Sequence, residues 1–217
     1  MNQKGLEKKV FAVDPDIVAD VELAEIEYLG ATELIKSMIE QNAMASVDML
    51  TTGALFKNYH VGAIEKKLAY EEAKKKMVES VTTEEERKRI TNWNLDYISC
   101  NLTALCATGD IPKAEPMMAK EISPEICAAI QRKHVHCQIM EDVCSGIIFA
   151  HANDMPDALT TSVVFTAYDE QRKKALLAFN NAKKELLANA FTDEERNRLQ
   201  NWNLDYNSSV LTYSFKC

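Results

Sequence analysis

Apolar residues recur along most of this chain at three-to-four spacing, the period of a helix that buries one face. Over residues 49–81, Leu55, Tyr59, Leu68, Ala69, Ala73 and Met77 keep that spacing, while Glu65-Lys66-Lys67 and Lys74-Lys75-Lys76 supply a solvated face. The pattern is written twice. At an offset of 109 residues, 14–108 aligns with 123–217 without a gap, and 30 of the 95 pairs are identical. An internal duplication therefore organises the chain into a tail (1–13), a first repeat (14–108), a linker (109–122) and a second repeat (123–217).

Start signals divide each repeat into three predicted helices. The first opens at Asp14-Pro15-Asp16 and Ser123-Pro124-Glu125, where a capping side chain precedes a proline whose missing N–H would be orphaned anyway. It runs to about residue 46 or 154, and Pro156 halts it in the second copy. The second helix covers 49–81 and 158–190. The third opens at Thr83-Glu84-Glu85-Glu86 and Thr192-Asp193-Glu194-Glu195, a capping box in which hydroxyl and carboxylate satisfy backbone donors reciprocally. Short connections make consecutive helices antiparallel. The expected fold is all-α: two tandem up-down-up three-helix repeats packed as a helical bundle, with more than about two-thirds of residues helical against a base rate near one-third.

Identity between the copies is concentrated. Residues 83–103 match 192–212 at 14 of 21 positions, and both copies carry Asn-Trp-Asn-Leu-Asp-Tyr, at 92–97 and 201–206. On a helical wheel Glu85, Arg89, Asn92, Asp96, Ser99 and Thr103 fall within an arc of about 80°, with Trp93 and Tyr97 on one side and Leu95 and Leu102 on the other. Such a stripe is expected to pack against another helix and pair its polar groups across the contact, where an unsatisfied group costs about 1–3 kcal/mol. The candidate binding or interface residues are thus Arg89, Asn92, Trp93, Asp96 and Tyr97, with Arg198, Asn201, Trp202, Asp205 and Tyr206. Asp96 and Asp205 stand at the centre, so replacing either by leucine should destabilise strongly. A ligand site between the two Asn-Trp-Asn-Leu-Asp-Tyr helices, with the Trp–Tyr pairs as stacking walls, is the alternative use of the same residues.

Other chemistry is sparse. The sequence contains no Glu-x-x-His, so a carboxylate-bridged di-iron bundle is not expected. His134, Cys137, Glu141 and Cys144 share a helix face and are all ligand types that zinc accepts. A straight helix spreads them over about 15 Å, however, so they are only a weak metal candidate and no cofactor is expected. Six glycines and no G-x-S-x-G, P-loop or G-x-G-x-x-G leave little material for nucleotide or acyl-transfer chemistry.

Charge and composition narrow the partners. A net charge of −8 is the wrong sign for gripping nucleic acid or an anionic membrane. No apolar run approaches a spanning helix, and residues 1–9 lack a signal-peptide core. Six scattered cysteines form no dense framework and read as reduced thiols of a cytoplasmic protein. The expected function is that of a non-enzymatic structural or protein-interaction protein, a homo-oligomer or a partner of another protein. The alternative is a small-molecule or metal-binding helical protein, an enzyme among the options, with a site between the two Asn-Trp-Asn-Leu-Asp-Tyr helices.

Overall fold

The computed structural model describes residues 5–41, 53–108, 118–150 and 162–216. The first repeat consists of β1 (Leu6–Ala12), α1 (Pro15–Gln41), α2 (Ala54–Val81), the single turn α3 (Glu84–Arg87), β2 (Ile90–Asp96) and β3 (Asn101–Ala107). The second repeats that order as β4 (Met118–Glu121), α4 (Pro124–Ala150), α5 (Val163–Ala190), α6 (Asp193–Arg198), β5 (Leu199–Asp205) and β6 (Val210–Phe215). Two long helices and a three-stranded antiparallel sheet make each copy, with strand orders β1-β3-β2 and β4-β6-β5.

The all-α expectation is therefore corrected: the described residues are 66% helical and 21% strand. Long helices form within both predicted ranges, although α2 and α5 begin only at Ala54 and Val163 and the expected breaks near 46–49 and 154–158 lie outside the described residues. The third helix of each repeat, however, is one or two turns followed by a β-hairpin. Its capping box is real. Thr83 accepts from the Glu86 backbone N–H while the Glu86 carboxylate accepts from that of Thr83, and Thr192 and Glu195 repeat the arrangement. Beyond that turn, Asn92-Trp93-Asn94-Leu95-Asp96 alternates polar and apolar residues with period two. In β2 the asparagines and the aspartate are exposed, while Trp93 and Leu95 turn inward. β3 completes the signature, since Leu102, Ala104 and Cys106 are buried and their neighbours are not. The helical-wheel arc thus has no counterpart: Glu85 stays in the short helix α3, Arg89 precedes β2, and a pitch of 180° per residue puts Asn92 and Asp96 on a strand face, with Ser99 in the turn and Thr103 in the next strand.

Each hairpin is pinned by the same devices. A β-bulge lies between Ile90 and Asn92, and another between Leu199 and Asn201. Cys100 and Ser209 take left-handed backbone conformations, φ 52° and 54°, which turn the chain into β3 and β6. Their carbonyls accept from Val13 and Ile122 N–H at 2.9 Å, tying each turn to the start of a long helix. β1 pairs along β3 from Leu6↔Ala107 to Ala12↔Asn101, and β4 along β6 from Met118↔Tyr213 to Glu121↔Val210. The segments read as tail and linker thus each supply a strand.

The chain divides into two compact units: 1–29 with 65–114, and 30–64 with 115–217. The first is built around Val13, Val18, Val21, Met77 and Leu102, with Phe11, Ile17, Trp93 and Leu95 packed against them. The core of the second includes Cys127, Ile130, Ala182, Leu186, Phe191, Leu204 and Leu211, with Trp202, Tyr206 and Tyr213 alongside. The second unit also contains α1 from Gly30 onward and α2 as far as Ile64. Ile35, Ile39, Phe56 and Ala63 from those stretches are buried.

Candidate functional site

The duplicated motif is a hairpin, and its residues have local architectural work. Asp96 is an exposed turn residue: it accepts from Ile98 N–H at 3.0 Å and from the Ser99 hydroxyl at 2.7 Å. The Ser99 hydroxyl and the turn's backbone N–H groups hold its pKa below the usual aspartate value. Asp205 repeats this with Asn207 N–H at 2.9 Å and the Ser208 hydroxyl at 2.6 Å. The expectation of a buried aspartate network across a helix contact is therefore corrected. Asn92 accepts from the adjacent Trp93 N–H through its side chain at 2.8 Å, and Asn201 sits at the equivalent bulge. Arg89 lines a small cleft with Lys9 and Glu86, which are paired at 3.2 Å, while the Arg198 guanidinium lies 5.6 Å from the centre of the Phe215 ring. Trp93 and Trp202 pack on the cores of their respective units. Neither copy of the motif is a helix: each is a strand running into a turn.

Tyr97 leads to a polar cluster that no local sequence pattern marks, since its members are 45 and 72 residues from Glu25. Its hydroxyl and that of Tyr70 both donate to the Glu25 carboxylate, the latter at 2.9 Å. Burial and then Glu25 push the Tyr97 pKa up to about 12, and the same causes raise that of Tyr70 further. The equivalents of Glu25, Tyr70 and Tyr97 are His134, Phe179 and Tyr206. There the imidazole stacks on Phe179 at 4.7 Å and 10° and lies 5.8 Å from the Tyr206 ring. Lys74 and Lys183, again equivalent, each stand 4.4 Å from the Tyr70 or Phe179 ring centre. One geometry thus carries a carboxylate–phenol cluster in one copy and an aromatic stack in the other.

A second cluster lies within the second unit. His60 is 7% exposed, its Nε2 is 3.4 Å from Tyr168 Oη, and its ring centre is 5.4 Å from that of His136. Its Nδ1 is buried with no hydrogen-bond partner among the described residues. Burial first, and His136 second, push the His60 pKa down to about 4. Nothing in the sequence marks this site, because His60 and Tyr168 are 108 residues apart and meet only through packing.

The residues of the weak metal candidate are dispersed in role. Cys137 and Cys144 are buried, and burial raises both thiol pKa values, to about 11 for Cys144. His134 is in its aromatic stack, and Glu141 lies 3.9 Å from Arg172. Among the described residues no three His, Cys, Asp or Glu side chains come together to hold an ion.

An open groove lies between β4, the start of α4 and the end of α5. It encloses about 380 Å³ over a floor that includes Ile122, Ile126, Ile130 and Leu186, with Lys120, Lys133, Glu121 and Glu185 around it. Fold and sites together define a duplicated α/β protein in which each copy runs strand, two long helices and hairpin. The chain matches no known protein family, no curated protein and no solved structure.

Proposed function

We propose that this is a self-associating structural or protein-interaction protein rather than an enzyme, its partner a second copy or another protein. The observation that carries the reading is apolar surface left open on a rigid element. Leu23 and Ile26, one turn apart on α1, are each 59% exposed. The second repeat places Arg132 and Val135 there, and Val135 is buried. Adjacent exposed aliphatic side chains gain roughly 25 cal/mol for each Å² removed from water, so such a patch favours association. Ile98, at the tip of the β2–β3 hairpin, is 97% exposed where the second copy has Asn207.

The acidic charge supports protein rather than nucleic acid as partner. No helix among the described residues is long and apolar enough to cross a membrane. Cytoplasmic residence belongs to the same proposal, supported by Cys100, Cys106, Cys127, Cys137 and Cys144 standing as free thiols. Light scattering over a wide concentration range tests the reading. We expect a mass that is a multiple of 24.4 kDa, reduced toward one chain by the double change Leu23→Glu and Ile26→Glu with helicity unchanged. A strictly monomeric mass at every concentration would refute self-association.

A further inference from the structure

The two repeats use the same scaffold but close it differently beside the first strand of each. In the first, Phe11 on β1 packs against the Val13, Val18, Val21, Met77 and Leu102 cluster, together with Ile17, Ala73 and Val81. The offset of 109 puts Lys120 at the position of Phe11 and Ala190 at that of Val81. An aromatic ring and a branched side chain are thereby removed from one wall. The Lys120 ammonium does not fill the space, because it donates to the Ala190 carbonyl at 2.5 Å. What remains is the groove of about 380 Å³. Ile126 is 45% exposed there, while its counterpart Ile17 is partly buried against the first core. The first repeat thus shows what shape completes this surface: a phenyl ring.

The rim supplies the polar specification. Lys133 on α4 and Glu185 on α5 both line the groove and are exposed, and neither is in an ion pair among the described residues. Lys120 and Glu121 add a second charge of each sign on β4. Opposite charges flanking an apolar slot match a ligand that carries both an ammonium and a carboxylate beside a ring, since each ligand charge then meets an opposite one.

We infer that the β4–α4–α5 groove is a binding site for a free aromatic amino acid. Its ring takes the place that Phe11 fills in the first repeat, its carboxylate faces Lys133 and Lys120, and its ammonium faces Glu185 and Glu121. This goes beyond association through α1, and the two can fail separately.

The test is a titration of the full chain, labelled at isoleucine methyls, with L-phenylalanine at millimolar concentrations. Saturable shifts are expected at Ile122, Ile126 and Ile130. Hydrocinnamate, which lacks the amino group, phenethylamine, which lacks the carboxylate, and L-leucine, which lacks the ring, should each bind more weakly. Lys133→Met, an exposed change, should weaken phenylalanine binding about tenfold through loss of a charge-assisted contact and leave hydrogen-exchange protection unaltered. Lys120→Phe restores the missing ring, so it should abolish the shifts and raise Tm. Absence of saturable shifts at those three methyls with L-phenylalanine overturns the proposal. So does equal binding of hydrocinnamate, or undiminished binding by a folded Lys120→Phe variant.

Discussion

His60 shows what burial does to a single side chain. An imidazole enclosed beside His136 and Tyr168, with Nδ1 unpaired, must stay neutral in the fold. Its pKa is about 4 there and 6.5 when free. The unfolded chain binds the proton more readily, so this group's contribution is fully present above pH 6.5 and is lost as pH falls from there toward 4. The integrated effect is about 3 kcal/mol, of which about 1 kcal/mol disappears between about pH 7 and pH 5.5. Burial also lowers the pKa of His136, which adds in the same sense. Urea melts at the two pH values should show this loss in the wild type and a flatter dependence in His60→Gln. An unchanged slope in that variant would assign the pH dependence elsewhere. Glu25 and His134 illustrate the complementary point: one scaffold position accepts either two phenol hydroxyls or an aromatic stack, because the surrounding backbone is held by the helices and not by that side chain.

Among the elements, the central strands β3 and β6 carry the sheets. Each is paired on both sides, and each buries a leucine completely, Leu102 and its equivalent Leu211, at 0% exposure. Truncating either to alanine removes buried methyl groups and leaves a cavity, so Leu102→Ala and Leu211→Ala should each cost about 2–5 kcal/mol in denaturant melts. A loss well below about 1 kcal/mol would mean that the strand is not packed as described. The hairpins themselves were legible in principle. Asn92-Trp93-Asn94-Leu95-Asp96-Tyr97 alternates with period two over six residues, and asparagine is a poor helix former. The preceding capping box pointed the other way, since it starts a helix without stating how long that helix runs. The bulges and the left-handed Cys100 and Ser209 end the ambiguity only once the strands are paired.

At the scale of the molecule, helices and strands occur in a ratio of about three to one among the described residues, 66% to 21%. A far-ultraviolet spectrum combined with the infrared amide band should therefore show both a dominant helical signal and an antiparallel strand component. An infrared spectrum without the strand band would contradict the fold. The two compact units also cut across the duplication, because the second takes in 30–64 of the first repeat. The aligned repeats gave no hint of this: offset identity reports common descent of two segments, while compactness reports which side chains exclude water together.

The sequence by itself determined the duplication, the capping boxes and the presence of the long helices α1, α2, α4 and α5, because caps and helices rest on contacts within a few residues and the duplication on identity alone. A helical hydrogen bond joins residues four apart, a cap joins residues three apart, and a repeat is read by sliding the chain over itself. The tertiary structure decided the rest. Residues 90–96 and 101–107 are strands of a sheet in which β3 pairs with both β2 and β1, with Leu6 opposite Ala107, and β1 lies in a segment whose own pattern reads as a tail. Tyr97 acquired Glu25 from 72 residues away, and His60 acquired Tyr168 from 108. Strand pairing and buried polar contacts draw their partners from distant chain segments, so their free energy appears only when those segments are brought together.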